Sequence, residues 1–308
     1  MPRIMDKLGW GISGAVALAL VATLAGVIDA GPLDPPRPPA PTQSNLIFQP
    51  PNCAGFPITL SAPGAYAFAE NITIPAACAK DGIDFAADGV TLDLRGFTLQ
   101  GAAAALAGIN VPSLRDGLSI SNGTVRGWPA GGVDISNSNV SRLSHLQIIA
   151  NGPGALYGGQ LQVGWDATVS DCQVMYGASS TIGIVVVGNR SVVRDCTVSQ
   201  NPAQGVKVLG VGNRIEGNHV VGNDTTIGCA DIWIVGPANV VQDNTAGFGS
   251  NDTCPYYIDS TASGSIIQRN VAQGGALGNY TNFCGVSCDV GPVGTAATST
   301  SPWANISD

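Results

Sequence analysis

The sequence is poor in the charged residues that long helices and nucleic-acid-binding surfaces use. Of its 308 residues only 13 are Lys or Arg, against 21 Asp or Glu, which gives a formal net charge of −8. Glu occurs only at Glu70 and Glu216, although Glu and Lys are among the strongest helix formers. Binding to a phosphate backbone draws on clustered Lys and Arg. The composition therefore argues against long helices and sets nucleic acid aside as a partner.

Histidine is equally scarce, so zinc chemistry and His-based catalysis have little to draw on. The two histidines are His145 and His219, in separate repeats of the chain. Cys284 and Cys288 form one short pair without a second pair, which favours a disulfide or tail staple over a metal site. The sequence therefore predicts no cofactor, apart from a candidate Ca²⁺ set described below.

The amino terminus has the pattern of an export signal. Arg3 and Lys7 precede an uncharged stretch from Leu8 to Ile28, which fits a secretory signal peptide or an uncleaved membrane anchor over residues 1–30. The proline-rich residues 31–45 follow as an extended linker. We therefore expect a secreted or cell-envelope protein, linked to a membrane only if the first segment is retained. The sequence does not indicate an oligomeric state.

The remainder is apolar and rich in glycine, with 44% hydrophobic residues and 41 Gly in the whole chain. Such a chain can bury enough surface to fold, and its Val, Ile, Thr, Asn and Ser favour short strands joined by turns. A six-residue unit recurs: apolar, two variable residues, one of Cys, Asn, Leu or Gly, one variable residue, apolar. Its copies are 22 to 26 residues apart and begin at Ile120, Leu143, Val169, Val193, Ile215, Val241 and Ile267.

These repeats predict an all-β fold, a single-stranded parallel β-helix (a β-solenoid) of about eight coils. Each copy follows a shorter strand, and units too short for a crossover helix can bury their apolar faces only by stacking. The β-helix is predicted over residues 82–273, with an N-terminal cap over 46–81 and a C-terminal cap or tail over 274–308, because open ends would be sheet edges.

Stacking places equivalent positions about 4.8 Å apart, in columns. One apolar column is predicted to contain Val125, Ile148, Val174, Val198, Val220, Ala246 and Ala272. A second column, at a bend, contains Leu146, Cys172, Cys196, Asn218, Asn244 and Asn270. We expect its asparagines to form a hydrogen-bonded ladder and its cysteines to be buried free thiols, with a disulfide between them as the alternative.

The other cysteines of this eight-cysteine chain suggest disulfides in an oxidising compartment. Their loop contexts favour pairing Cys53 with Cys78 and Cys229 with Cys254, although sequence alone does not determine connectivity.

The repeats resemble the pectin-lyase-like superfamily, and more closely the bacterial exported proteins with right-handed β-helix repeats. The resemblance covers about residues 50–290 and is carried by Gly82-Ile83-Asp84, Val90-Thr-Leu-Asp-Leu-Arg-Gly96, Ile120-Ser-Asn-Gly-Thr-Val125 and Ile215-Glu-Gly-Asn-His-Val220. It implies a right-handed coil. The superfamily includes polysaccharide lyases, polygalacturonases, alginate epimerases and phage tailspikes, so fold alone does not determine activity. The sequence has neither the paired Asp-Asp, Gly-His-Gly and Arg-Ile-Lys of the hydrolases nor the Asp-Pro-His of the epimerases, so no catalytic residue carries over.

The outward face of the shorter strand is the predicted place for a ligand groove, because alternate residues there point to solvent along one line. We call this line the outer strip; its members are Asp84, Asn110, Asp134, Gln162, Val185, Lys207 and Trp233. Its Asp, Asn and Gln could pair with sugar hydroxyls while Trp233 stacks on a pyranose. An ordinary soluble surface would also carry polar residues there. Asp134 and Lys207 resemble the groups of a lyase, but they lie three coils, or about 14 Å, apart.

A candidate Ca²⁺ set comprises Asp171, Asp195 and Asp243, which recur just before the bend column, interleaved with Arg194 and Arg269. The alternative is a solvated turn in which each Asp caps local backbone amides.

Three functions remain open. The first is an exported β-helix that binds or displays glycans without catalysis. The second is a polysaccharide lyase or glycoside hydrolase acting on an acidic polysaccharide, which would need acid, base and charge-stabilising groups to converge within a few ångströms. The third is a structural spacer.

Overall fold

The computed structural model describes residues 45–154, 157–223, 230–247, 254–274, 280–282 and 289–307. The predicted signal segment, almost all of the linker, and the cysteines at 229, 284 and 288 lie outside these ranges. Within them, no helix is both long and apolar enough to cross a membrane.

The described secondary structure is almost entirely strand. A three-residue 3-10 helix covers Cys53–Gly55. The strands up to residue 165 are β1 Leu46–Ile47, β2 Ile58–Leu60, β3 Gly64–Phe68, β4 Ile72–Thr73, β5 Ile83–Phe85, β6 Val90–Asp93, β7 Thr98–Gln100, β8 Ile109–Asn110, β9 Arg115–Asp116, β10 Ser119–Arg126, β11 Val133–Asn139, β12 Arg142–Ile149 and β13 Gly159–Trp165.

The strands after residue 165 are shorter and more regular. They are β14 Thr168–Ser170, β15 Gln173–Met175, β16 Ile182–Val186, β17 Val192–Arg194, β18 Thr197–Ser199, β19 Val206–Val208, β20 Arg214–Glu216, β21 His219–Val221, β22 Ile232–Ile234, β23 Val240–Gln242, β24 Thr245–Gly247, β25 Tyr256–Ile258, β26 Ile266–Gln268, β27 Val271–Gln273, β28 Tyr280–Asn282, β29 Asp289–Val290, β30 Val293–Gly294 and β31 Asn305–Ser307.

These strands form two parallel sheets, which we call sheet 1, with 20 strands, and sheet 2, with 11. A typical coil places one strand in sheet 2 and the next two in sheet 1: β16 is followed by β17 and β18, and these pair with β19, β20 and β21 of the next coil. The described residues make about nine such coils. The predicted all-β parallel solenoid is therefore confirmed, with one coil more than the sequence indicated.

The stack begins before residue 82. Strands β2, β3 and β4 pair in parallel with β5, β6 and β7 of the following coil. At the other end, β29 pairs with β26, and β31 pairs with β27. The segments expected to be caps thus contribute strands to the sheets.

The predicted apolar column is confirmed residue by residue. Val125 pairs with Ile148, and the register continues to Ala272 without a slip. All seven side chains are fully buried. Burial of this kind is the main stabilising term of the fold, at about 25 cal/mol per Å² of apolar surface removed from water. The core runs along the stack because each coil supplies one residue to each column.

The predicted asparagine ladder is also confirmed. The Oδ1 of Asn244 accepts from the backbone N–H of Asn218 at 3.0 Å and from its Nδ2 at 2.9 Å. Asn270 does the same for Asn244. Asn305, in β31, extends the ladder by another coil, through hydrogen bonds to Asn270 of 3.0 and 3.2 Å. The ladder satisfies buried backbone groups at a bend that lies inside the stack.

Two further ladders, which were not predicted from the sequence, occupy the other bends of the coil. In one, the backbone N–H of Asn201 donates to Asn223 Oδ1 at 3.1 Å. In the other, Asn213 donates in the same way to Asn239 at 2.7 Å. Their spacings of 22 and 26 residues equal those of the repeat. This equality is the sequence signal that could have identified them.

One predicted disulfide and the two predicted free thiols are confirmed. Cys53 and Cys78 form a disulfide with Cα atoms 5.5 Å apart. Cys172 and Cys196 are buried free thiols on neighbouring coils. Cys254 is also buried, but its predicted partner lies outside the described residues.

Candidate functional site

The structure places the residues of the outer strip in one continuous line along sheet 2. Each pairs in register with the next, from Asp84 to Trp233. The line then continues to Tyr257. The strip predicted from the sequence ended at Trp233, so Tyr257 is an addition from the structure.

The middle of the outer strip is not exposed, contrary to the prediction. Gln162 and Val185 are both fully buried. The chain before β13 passes over Gln162 so closely that a Cβ added to Gly154 would lie 1.5 Å from its Nε2. Val185 packs in a small apolar cluster with Ile182 and Ala203. The alternation along the strand is correct, but a second layer of chain covers this part and divides the strip into two partly exposed ends.

One end carries a cation and two aromatic rings on successive coils. The Lys207 Nζ lies 4.0 Å from the centroid of the Trp233 ring, a cation–π contact. The Tyr257 ring meets Trp233 edge-on, with centroids 5.4 Å apart and planes at 79°. All three side chains are partly exposed, and the Trp233 Nε1 has no hydrogen-bond partner. That nitrogen is buried, so this end presents aromatic surface and a positive charge.

Asp259 interacts electrostatically with Lys207. Hydrogen bonds from the Thr261 backbone, together with those from the Thr261 and Ser260 hydroxyls and the charge of Lys207, lower the pKa of Asp259. The carboxylate accepts from the Thr261 N–H at 3.0 Å and from its Oγ1 at 2.9 Å. An ionised, internally bound carboxylate of this kind is a weak base.

The other end of the outer strip is acidic. Asp84 and Asn110 are partly exposed and neighbour each other in register. The Asn110 Nδ2 donates to Asp81 Oδ2 at 3.0 Å. Burial, and then the adjacent Asp81 carboxylate, raise the pKa of Asp84 to about 6. Asp81 lies outside the strip, so no alternation rule identified it. Asp134, one coil further on, is held by the Ser136 N–H and hydroxyl.

Asp171, Asp195 and Asp243 lie at a corner of the coil rather than in a shared site. Each occupies a left-handed backbone conformation, with φ of 55°, 54° and 57°, which Asp tolerates better than most residues. Gly217 occupies the same corner between Asp195 and Asp243, so those two lie about 10 Å apart by strand spacing. Asp243 also pairs with Arg269 at 2.6 Å. Among the described residues, no three His, Cys, Asp or Glu come together as a metal site.

Comparison with known proteins supports the architecture. No curated protein matches the chain. The structure resembles an alginate lyase from Paenibacillus sp. str. FPU-7, with 15% identity over 70% of this chain and 76% of that one, and a TM-score of 0.49. It also resembles the enzymatically active domain of bacteriophage CBA120 tailspike protein 2, with 9% identity, a TM-score of 0.51 and coverage of 79% of this chain. The match spans 48% of the tailspike chain. At these identities the likeness concerns the fold alone.

The family model for the right handed beta helix region matches residues 81–246. Those residues form the in-register parallel coils described above, with their apolar column and asparagine ladder. Because the match covers more than half of the chain, the protein belongs to the right-handed β-helix family.

Proposed function

We propose that this protein binds a polysaccharide without cleaving it, and that the Lys207, Trp233 and Tyr257 end of the outer strip is the binding site. The observation that carries the proposal is the placement of these three partly exposed side chains on successive, in-register coils. Polymer-binding surfaces need evenly spaced contacts, and a parallel stack repeats every 4.8 Å or so.

The chemistry of the three side chains suits a sugar chain. The rigid Trp and Tyr rings offer apolar surface at little entropic cost. Lys207 supplies a positive charge beside them, which favours a sugar that carries a carboxylate.

The separation of charged groups along the strip supports binding over cleavage. Asp84, whose raised pKa would suit a general acid, lies five coils from Lys207, or about 24 Å by strand spacing. Asp259, near Lys207, is ionised and internally hydrogen-bonded. Acid, base and charge-stabilising groups must lie within a few ångströms of one reacting bond, and these residues do not converge in that way.

The test is native affinity electrophoresis of the full chain in gels that contain alginate, polygalacturonate or hydroxyethylcellulose. We expect retardation of the wild type by at least one polymer, and at least a tenfold loss of affinity in Trp233→Ala. Trp303→Ala is the matched control, because Trp303 is exposed and also contacts a cation, Arg269, but lies just before β31 of sheet 1 in the chain.

Three outcomes would overturn the proposal. They are the absence of retardation by all three polymers, equal loss in both tryptophan variants, and release of reducing ends or unsaturated products by the wild type. Far-UV circular dichroism of each variant confirms that the fold is retained.

A second candidate function, glycoside hydrolysis, is favoured by one observation. Asp81 and Asp84 place two carboxyl groups side by side, with the pKa of Asp84 raised to about 6 by burial and then by Asp81. Glycoside hydrolases use one protonated and one ionised carboxyl group. If this pair is catalytic, Asp84→Asn abolishes release of reducing ends from the polymers above, and activity falls as the pH rises above 6.

A further inference from the structure

A second groove lies on the outer face of sheet 1, away from the outer strip. Its volume is about 690 Å³. Strands β12, β14, β17 and β20 form its floor, and its lining includes one arginine from each of three of these strands, Arg142, Arg194 and Arg214. We call it the arginine groove. In a chain with a net charge of −8, three arginines in one groove are a concentration of positive charge that its composition does not predict.

The groove exists because long and short side chains alternate along the stack. Arg142, Thr168, Val192 and Arg214 follow one another in register on four successive coils. The two short residues leave a depression about 14 Å long between the two arginines, by strand spacing. The parallel column is Ser144, Ser170, Arg194 and Glu216. It places the third guanidinium at the side of the depression and hydroxyl groups on its floor.

The guanidinium groups are available to a ligand. All three arginines are exposed, and Arg142 forms no ion pair within the described part of the chain. Arg194 lies 3.4 Å from Asp195, and the Arg214 Nε lies 3.0 Å from Glu216. Exposed ion pairs of this kind are weak and screened by water, so an incoming anion can replace them.

We propose that the arginine groove binds an oligosaccharide that carries carboxylate or sulfate groups. Planar guanidinium groups bind both oxyanions through paired hydrogen bonds. The serine and threonine floor can pair with sugar hydroxyls. Asp171 and Glu216 also line the groove; they can accept from hydroxyls but would repel a dense polyanion. This mixture favours an acidic sugar over a nucleic acid. The site is separate from the Trp233 site and does not depend on it.

Isothermal titration calorimetry of the full chain tests this proposal with a hexauronate, a sulfated hexasaccharide and cellohexaose. We expect one or both acidic probes to bind the wild type. Their affinity should be at least tenfold lower for Arg142→Ala/Arg214→Ala, and at least tenfold lower for the wild type in 0.5 M NaCl. Arg142→Lys keeps the charge but loses the paired geometry, so it should recover part of the affinity. The preferred acidic probe distinguishes carboxylate from sulfate recognition.

Two controls separate this site from general electrostatics and from the function proposed above. Arg126→Ala removes another exposed arginine of sheet 1 that does not line the groove, and it should leave affinity for the acidic probes unchanged. Trp233→Ala should leave the affinity of the arginine groove for the acidic probes within twofold, whereas it should weaken binding at the outer strip at least tenfold. The proposal is overturned if neither acidic probe binds, if cellohexaose binds equally well, or if Arg126→Ala weakens binding as much as the double variant.

Discussion

Removal of Asn244 should be among the most destabilising single substitutions in this chain. The Asn244 side chain is buried and occupies the centre of the confirmed ladder. Its Oδ1 accepts from the Asn218 backbone N–H and Nδ2, and its Nδ2 donates to Ile215 O at 2.8 Å and to Asn270 Oδ1 at 3.0 Å. Alanine at this position leaves the Asn218 N–H and the Ile215 carbonyl buried without these partners. Each orphaned group costs about 1–3 kcal/mol, so Asn244→Ala should lose about 2–6 kcal/mol.

Urea unfolding followed by far-UV circular dichroism measures this loss. Asn137→Ala is the control, since Asn137 is exposed and its Nδ2 makes one hydrogen bond, to Val111 O at 3.1 Å; we expect it to cost less than about 1 kcal/mol. Coils contact only their neighbours, so the variant should also unfold first around β20 to β27 in hydrogen exchange. An Asn244→Ala chain within 0.5 kcal/mol of the wild type would refute the claim that the ladder stabilises the bend.

Two further predictions concern pH and packing. The ordinary pKa of Asp84 is 3.8, and burial followed by Asp81 raises it to about 6. The folded state therefore holds a proton that the unfolded state releases, and stability should fall as the pH rises from about 4 to about 6. Asp84→Asn should raise the free energy of unfolding by about 1–2 kcal/mol at pH 7, a value reduced by the partial exposure of Asp84, and by little at pH 4. Urea midpoints equal to those of the wild type at both pH values would contradict this prediction. Gly183→Ala should lower the free energy of unfolding by about 1–3 kcal/mol, because the new Cβ would lie 2.5 Å from Val198 Cγ1. An unchanged melting temperature would contradict this prediction and show that the coil can move to accommodate the methyl group.

The sequence by itself determined the architecture because the contacts of a solenoid are set by repeat spacing. A residue such as Val198 meets its counterparts Val174 and Val220 one repeat away in each direction. Any pattern that returns every 22 to 26 residues therefore names a column directly. Asn218 and Asn244 followed from the same rule, since a buried amide at a repeated bend has its counterparts above and below it.

The tertiary structure decided which outward positions are accessible. Alternation placed Gln162 and Val185 on the outward face correctly, but the chain before β13 and a small apolar cluster cover them. A loop that folds over a sheet has no periodicity, so the repeat pattern does not predict which outward residues it covers.

The tertiary structure also decided which charged groups meet. Asp81 lies beside Asp84 and changes its pKa, although the two belong to different parts of the strand pattern. Arg142, Arg194 and Arg214 come from three coils and two columns, and they form a groove only because short side chains lie between them. Charge proximity depends on side-chain length and on the chain that covers each face, whereas the fold depends on the periodic apolar residues alone. The sequence therefore predicted the β-helix, while the tertiary structure located its candidate binding surfaces.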